Sequence, residues 1–114
     1  MYKYPAETIE FDSELEKQFG ILQLRVYAYR YKDYLRVIGS IETSQIKERL
    51  TLALVGYSTN GDIILTQNNE TYGDRIVTNV ISPKVFFEGY PFKFLCCDSD
   101  VSKISKIKIY PVGV

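Results

Sequence analysis

The side chains of this chain best suited to bind another molecule lie in one alternating stretch. The odd positions from Arg25 to Tyr31 are arginine followed by three tyrosines, and Tyr34 and Arg36 follow after two more residues. A tyrosine offers a broad apolar ring with a polar tip, and arginine stacks on such rings, so both are enriched at the energetic centres of protein interfaces. If the two segments pair as a hairpin with these positions pointing away from the core, they form one outward surface, composed of Arg25, Tyr27, Tyr29, Tyr31, Tyr34 and Arg36. This pattern predicts a docking surface for a protein partner or for a second copy of the chain.

The same residue types are compatible with other uses. Single-stranded nucleic acid stacks its bases on aromatic rings in a basic groove, and Arg30 and Lys32 would add charge here. A carbohydrate-binding surface would also use stacked aromatic rings. Aromatic cross-strand pairs can equally serve to stabilise a sheet, and the N-terminal segment could cover this one. The chain has 14 basic and 14 acidic residues, and this balance gives no general attraction to nucleic acid or anionic lipid.

Catalytic chemistry is not indicated. There is no histidine, which removes the usual general base at neutral pH and the commonest metal ligand. A glycosidase needs two carboxylates facing each other across a cleft, whereas the acidic pairs here are only neighbours in sequence: Glu14 with Glu16, Glu70 with Asp74, and Asp98 with Asp100. Glycine-rich phosphate loops and nucleophile motifs are absent from the sequence. We therefore expect a protein that is not an enzyme and needs no cofactor.

The two cysteines are the neighbours Cys96 and Cys97. Adjacent residues of a strand point to opposite faces of the sheet, which predicts one buried thiol and one surface thiol. Two thiols without histidine do not form a structural zinc site, so no metal site is expected. The sequence begins without the apolar stretch of a secretory signal, and no apolar run is long enough to span a bilayer. These features indicate a cytoplasmic or already processed protein, and the lack of a disulfide framework favours the cytoplasm.

The tyrosines must be positioned by a hairpin. Residues 21–31 and 34–43 alternate as two strands around Lys32 and Asp33. A two-residue loop would place Ala28 opposite Val37 and Leu24 opposite Ile41. The small and aliphatic residues of both strands then share the inner face, and the tyrosines share the outer face.

A second hairpin is predicted around Asn60-Gly61, a pair that favours a type I′ turn. Its strands would cover residues 48–57 and 62–66. Ser58 would then face Ile63, Gly56 would face Leu65 and Leu54 would face Gln67. This register predicts a shared inner side, composed of Leu50, Leu52, Leu54, Ile63 and Leu65.

Shorter sequence patterns predict the remaining strands, a short helix and a loop. Residues 8–12 indicate a strand with Ile9 and Phe11 on one side. The Ser13-to-Glu16 spacing indicates a capping box for a short helix that ends before Gly20. Residues 67–74 indicate a loop. Three further strands are predicted at 75–81, 90–97 and 104–112, the last with Ile107 and Ile109 inward and with the lysine and proline content of a sheet edge or solvated face.

Together these elements predict one all-β domain over residues 1–114. Its architecture would be an antiparallel two-sheet β-sandwich of seven to eight strands with a short N-terminal helical turn. A small closed barrel is the second choice. No internal repeat or linker interrupts the chain.

Three segments resemble FxLYD-type domains and related bacterial fibronectin-III-like β-sandwiches. Residues 35–41 (LRVIGSI) resemble an early strand of these domains, residues 52–64 resemble their aromatic-turn-glycine-aliphatic hairpin, and residues 87–94 (FEGYPFKF) resemble a later strand. The resemblance covers about two thirds of the chain. It implies an accessory or interaction module without a catalytic site, of a kind usually found in envelope or secreted proteins. The segment through Gly20 is additional to that pattern.

Overall fold

The computed structural model describes residues 1–43, 45–68, 81, 83 and 90–114. These residues contain eight strands and one α-helix: β1 (Tyr2–Lys3), β2 (Ile9–Phe11), α1 (Ser13–Phe19), β3 (Gln23–Tyr31), β4 (Tyr34–Glu42), β5 (Leu50–Tyr57), β6 (Ile63–Asn68), β7 (Tyr90–Cys97) and β8 (Lys106–Gly113). Short 3₁₀ segments lie between consecutive strands: Ala6–Thr8 between β1 and β2, and Ser99–Lys103 between β7 and β8.

The first sheet has the strand order β1-β3-β4-β7, with every pair antiparallel. In the β3–β4 hairpin Ala28 lies opposite Val37 and Leu24 lies opposite Ile41, which confirms the predicted register. Lys32 in the connecting turn has a φ of 55°. The predicted strand began at Ile21, whereas β3 begins at Gln23. Leu22, predicted to face inward, therefore precedes the strand and is 73% exposed.

The second sheet has the order β2-β8-β5-β6, in which β2 and β8 run parallel and the other pairs are antiparallel. Of the two settings predicted for the last strand, a sheet edge and a solvated face, the structure shows the second, because β8 lies between β2 and β5. Its lysines mark the solvent-facing side of an inner strand, while Ile107 and Ile109 are fully buried. The pairing with β2 ends at Ile109, so Pro111 lies beyond the part of β8 that has partners on both sides.

The β5–β6 connection differs from the predicted type I′ turn. The Gly61 amide donates to the Ser58 carbonyl at 3.0 Å, which places Thr59 and Asn60 at the centre of the turn. Gly61 follows with a φ of 88°, and neither central residue has a positive φ. The Ser58 hydroxyl favours this geometry, because it accepts from the Asn60 amide at 3.2 Å.

This longer loop alters the register only next to the turn. Gly56 faces Leu65 and Leu54 faces Gln67 as predicted, whereas Ile63 lies opposite Tyr57 across an irregularity in the ladder. Ile63 is consequently 63% exposed and does not share the inner side. Strand β6 also continues through Gln67 and Asn68, which were predicted to belong to a loop.

Helix α1 has the predicted bounds but a different cap. The Asp12 carboxylate, not the Ser13 hydroxyl, accepts from the Leu15 amide at 3.1 Å. Asp12 has the extended backbone of an N-cap residue and lies one position earlier than the predicted cap. The helix ends at Gly20 as predicted. Before the helix, strand β2 buries Ile9, but Phe11 remains 43% exposed at the sheet edge.

Buried side chains of both sheets belong to one hydrophobic cluster. Val37 and Phe94 represent the first sheet, and Leu54 and Ile107 the second. The predicted strand at 75–81 lies outside the described residues except for Ile81, which is buried and exchanges two backbone hydrogen bonds with Leu50. The part of the chain described here is therefore organised as two four-stranded sheets around a common apolar core.

Candidate functional site

The odd positions of β3 and the even positions of β4 share the outward side of the first sheet. Cross-strand register brings Tyr31 opposite Tyr34 and Tyr29 opposite Arg36. Directly opposed residues of an antiparallel pair lie on the same side of the sheet. All six predicted residues therefore lie on one surface, here called the tyrosine face: Arg25, Tyr27, Tyr29, Tyr31, Tyr34 and Arg36.

The aromatic rings of this surface are in contact with solvent. The exposed fraction is 47% for Tyr27, 56% for Tyr31 and 38% for Tyr34, and Tyr29 is half-buried. Ala28, between two of these tyrosines, is fully buried. Strand β1 pairs beside β3 at the sheet edge, and from there Lys3 reaches the Tyr27 ring and Met1 lines a groove beside Tyr29, while Tyr27 and Tyr31 stay exposed.

Strands β1 and β7 add residues that were not predicted for this surface. Lys3 lies opposite Tyr29, and on the other side Leu95 lies opposite Arg36 and Lys93 opposite Ile38. The alternation around Phe92 and Phe94 marks Lys93 as outward. Sequence alone does not reveal that β7 pairs with β4, because these strands are more than 45 residues apart.

Two grooves indent the tyrosine face on either side of Ile38. One has a volume of about 550 Å³ and is lined by Arg25, Tyr27, Pro91 and Lys93, among others. The second has a volume of about 470 Å³, and its walls are formed mainly by the remaining predicted residues: Tyr29, Tyr31, Tyr34 and Arg36. The predicted side chains are thus divided between two neighbouring depressions.

The cations on the outward side of the first sheet, in and around the tyrosine face, differ in their partners. The Arg25 guanidinium pairs with the Glu42 carboxylate at 3.1 Å. The Lys3 ammonium lies 5.6 Å from the centre of the Tyr27 ring, within the range of a cation–π contact. Arg36 and Lys93 are exposed, and neither forms an ion pair or side-chain hydrogen bond with a described residue.

Arg30, considered above as part of a nucleic-acid surface, is held by a different set of contacts. Its guanidinium donates to the Ser102 carbonyl at 3.0 Å and to the Ile104 carbonyl at 3.3 Å, and it lies 4.7 Å from the centre of the Tyr2 ring. The buried Tyr4 hydroxyl donates to the same Ile104 carbonyl at 2.9 Å. Burial raises the pKa of Tyr4, although the nearby guanidinium opposes this shift. Arg30 therefore joins β3 to the segment before β8.

The two thiols are placed as predicted. Cys96 is buried and Cys97 is exposed. Burial, reinforced by Cys97 and Asp98, raises the pKa of Cys96 to about 12, and its thiol contacts the Gln67 side-chain oxygen. Cys97 lies opposite Tyr34, so the exposed thiol lies on the same side of the sheet as the tyrosine face.

Other kinds of site have little support within the described ranges. There, no three His, Cys, Asp or Glu side chains group closely enough to hold a metal ion. No helix in the same ranges has the length and apolarity to cross a membrane. Comparison with protein-family models, with curated proteins and with solved structures finds no match to this chain.

Proposed function

We propose that this protein is a non-catalytic interaction module that binds a protein partner, or its own copy, through the tyrosine face. The observation that carries the proposal is the exposure of Tyr27, Tyr31 and Tyr34 on strands whose opposite side carries the fully buried Ala28 and Leu35. An exposed aromatic cluster gains little stability for its own fold and offers a large area for burial on binding.

The shape of the surface supports the same function. Binding hot spots are aromatic or arginine side chains that fill pockets on the partner. The tyrosine face has both parts of such an arrangement, since exposed rings border two grooves of about 550 and 470 Å³. Protruding side chains of a partner can enter the grooves while the rings pack around them.

The proposed architecture is a β-sandwich of the fibronectin-III-like type, in which the two sheets pack through the shared core. Two observations support this architecture. Buried residues of both sheets belong to one hydrophobic cluster, and three segments of the chain resemble that family. A module of this type would act by presenting one sheet surface to its partner. The resemblance of the three segments implies an envelope or secreted setting.

The experiment compares the wild type with a Tyr27→Thr/Tyr31→Thr variant, in which threonine removes the rings but retains a residue suited to strands. The control is Tyr110→Thr, which removes a ring from the second sheet. Partners captured from the source cell are identified, purified and tested for direct binding, and sedimentation measures self-association. We expect the double variant to lose at least about tenfold in affinity, equivalent to about 1.4 kcal/mol, and the control to bind normally.

Equal binding by the double variant and the wild type would contradict this function. Retention on a polysaccharide or on single-stranded DNA that depends on the same two rings would instead favour the carbohydrate- or nucleic-acid-binding alternative.

A further inference from the structure

We infer that the partner of the tyrosine face is a protein segment with acidic side chains interspersed among apolar ones. This inference rests on the proposed function and specifies the chemistry of the partner. Its basis is the combination of excess positive charge and aliphatic contact area on the outward side of the first sheet.

Charge is distributed unevenly over the molecule. The whole chain has a net charge of zero. By register, the outward strand positions of the first sheet carry four cations, Lys3, Arg25, Arg36 and Lys93, against the single carboxylate of Glu42. The described strands therefore leave an excess of three positive charges on this side, and a complementary partner must supply negative charge.

Arg36 is the residue placed best to recognise a carboxylate. It lies between Tyr29 and Leu95 in the cross-strand register and lines the second groove with Tyr31 and Tyr34. Its guanidinium has no carboxylate or hydrogen-bond partner among the described residues. Arginine binds a carboxylate through two parallel hydrogen bonds, and the surrounding rings would shield such a pair from water.

The same charges disfavour a symmetric dimer through this surface. A two-fold interface brings the same patch of both copies together, so two patches with the same excess positive charge would face each other. Like charges brought together across an interface cost several kcal/mol. A partner with the opposite charge avoids this cost and associates faster through electrostatic steering.

Aliphatic residues favour a peptide over single-stranded nucleic acid. Ile38 separates the two grooves, and Leu95 lies beside Arg36. Neither side chain offers a ring on which a base can stack. Both can pack against valine or leucine side chains of a peptide.

The test uses fluorescence anisotropy at low ionic strength with three labelled probes. The first is a peptide of Glu-Val-Glu-Tyr repeats, the second replaces each glutamate with lysine, and the third is oligo-dT. Each probe is titrated with the wild type, with Arg36→Glu and with Lys108→Glu. The last variant makes a comparable charge reversal on the second sheet, next to the ring of Tyr110.

We expect the acidic peptide to bind the wild type more tightly than the other probes, and added salt to weaken this binding. Arg36→Glu should weaken it at least about tenfold, in keeping with the loss of a charge-assisted contact, whereas Lys108→Glu should have little effect. Tighter binding of the lysine peptide or of oligo-dT would overturn the inference. So would equal effects of the two charge reversals, or no binding of the acidic peptide.

Failure of the inference and failure of the proposed function have different signatures. Suppose that the wild type self-associates or binds a purified basic partner, and that Tyr27→Thr/Tyr31→Thr abolishes this association. The interaction function then stands and the acidic partner is excluded. If the double tyrosine variant keeps every interaction of the wild type, both are excluded.

Discussion

At the scale of single residues, Tyr4 and Arg30 combine polar contacts with burial. The Tyr4 ring is 2% exposed and packs edge-on against Tyr2, with 5.0 Å between ring centres. Its hydroxyl and the Arg30 guanidinium share the Ile104 carbonyl. Neither role could be predicted from sequence, because the partners lie about 100 and 74 residues away along the chain.

Replacing Tyr4 with phenylalanine should lower the free energy of unfolding by about 1 kcal/mol, the usual contribution of one hydrogen bond. The ring and its packing remain, whereas the hydroxyl is lost, which donates to the Ile104 carbonyl at 2.9 Å and accepts a long hydrogen bond from the Arg30 guanidinium at 3.5 Å. Urea unfolding measures the difference. Tyr2→Phe is the matched control, since Tyr2 is 43% exposed and its hydroxyl has no hydrogen-bond partner among the described residues. Equal stability of Tyr4→Phe and the wild type would show that the bond contributes nothing.

Glu16 presents a different problem, because its carboxyl group is buried on α1. The side chain is 8% exposed, and one of its oxygens has no hydrogen-bond partner among the described residues. Burial, followed by the nearby Asp12 carboxylate, raises the pKa of Glu16. Below the ordinary pKa of glutamate the group is protonated in both the folded and the unfolded chain. As pH rises from there, the folded chain loses the stability that the protonated form supplied.

Glu16→Gln should therefore stabilise the protein relative to the wild type at pH 7 and have a smaller effect near pH 4. The neutral amide removes the buried charge, so the benefit should grow as pH rises. Thermal unfolding at both pH values tests this, with Glu14→Gln on the exposed side of the same helix as control. A benefit that is the same at both pH values would show that ionisation of Glu16 does not affect stability.

At the scale of elements, local alternation predicted the β3–β4 hairpin and β7 with little error. In each of these strands the residues of one parity are mostly apolar and are less exposed than the residues of the other parity, and this alternation is a property of the strand itself. The position of β8 could not be obtained in this way. The sequence pattern of its lysines is the same for an edge strand and for the solvent-facing side of an inner strand. Its partners β2 and β5 are also distant in sequence.

Gly39 marks a close approach between neighbouring strands. A Cβ atom at this position would lie 2.0 Å from the Arg25 carbonyl oxygen and 2.8 Å from the Phe92 ring. Gly39→Ala should therefore cost roughly 2–3 kcal/mol of stability, as overpacking of a well-packed region does.

Gly61→Ala is the matched control, because nothing lies within 4 Å of its added Cβ and only its φ of 88° is unfavourable. Its cost should be about 1 kcal/mol. Chemical denaturation of both variants gives the comparison. A smaller loss for Gly39→Ala than for Gly61→Ala would contradict the close strand approach.

At the scale of the whole molecule, apolar residues of both sheets form one core. The other side of the first sheet carries the exposed tyrosines, whereas β5 in the second sheet is buried on both sides. The six predicted residues of the tyrosine face could be found from sequence because they lie on two strands joined by a short turn. Lys3 and Lys93 could not, because β1 and β7 reach this surface through long-range pairing. The excess charge of the face depends on these two lysines, so it became apparent only from the topology.

The account depends most on the tyrosine rings being available to a partner and not needed by the fold. Urea unfolding of Tyr27→Thr/Tyr31→Thr tests this, with Phe94→Ala as the reference for loss of a buried ring. We expect the double variant to lose about 1 kcal/mol or less, within the range of strand propensities, and Phe94→Ala to lose roughly 3–5 kcal/mol. A loss in the double variant as large as that of Phe94→Ala would show that these rings stabilise the fold, and would contradict their role as a docking surface.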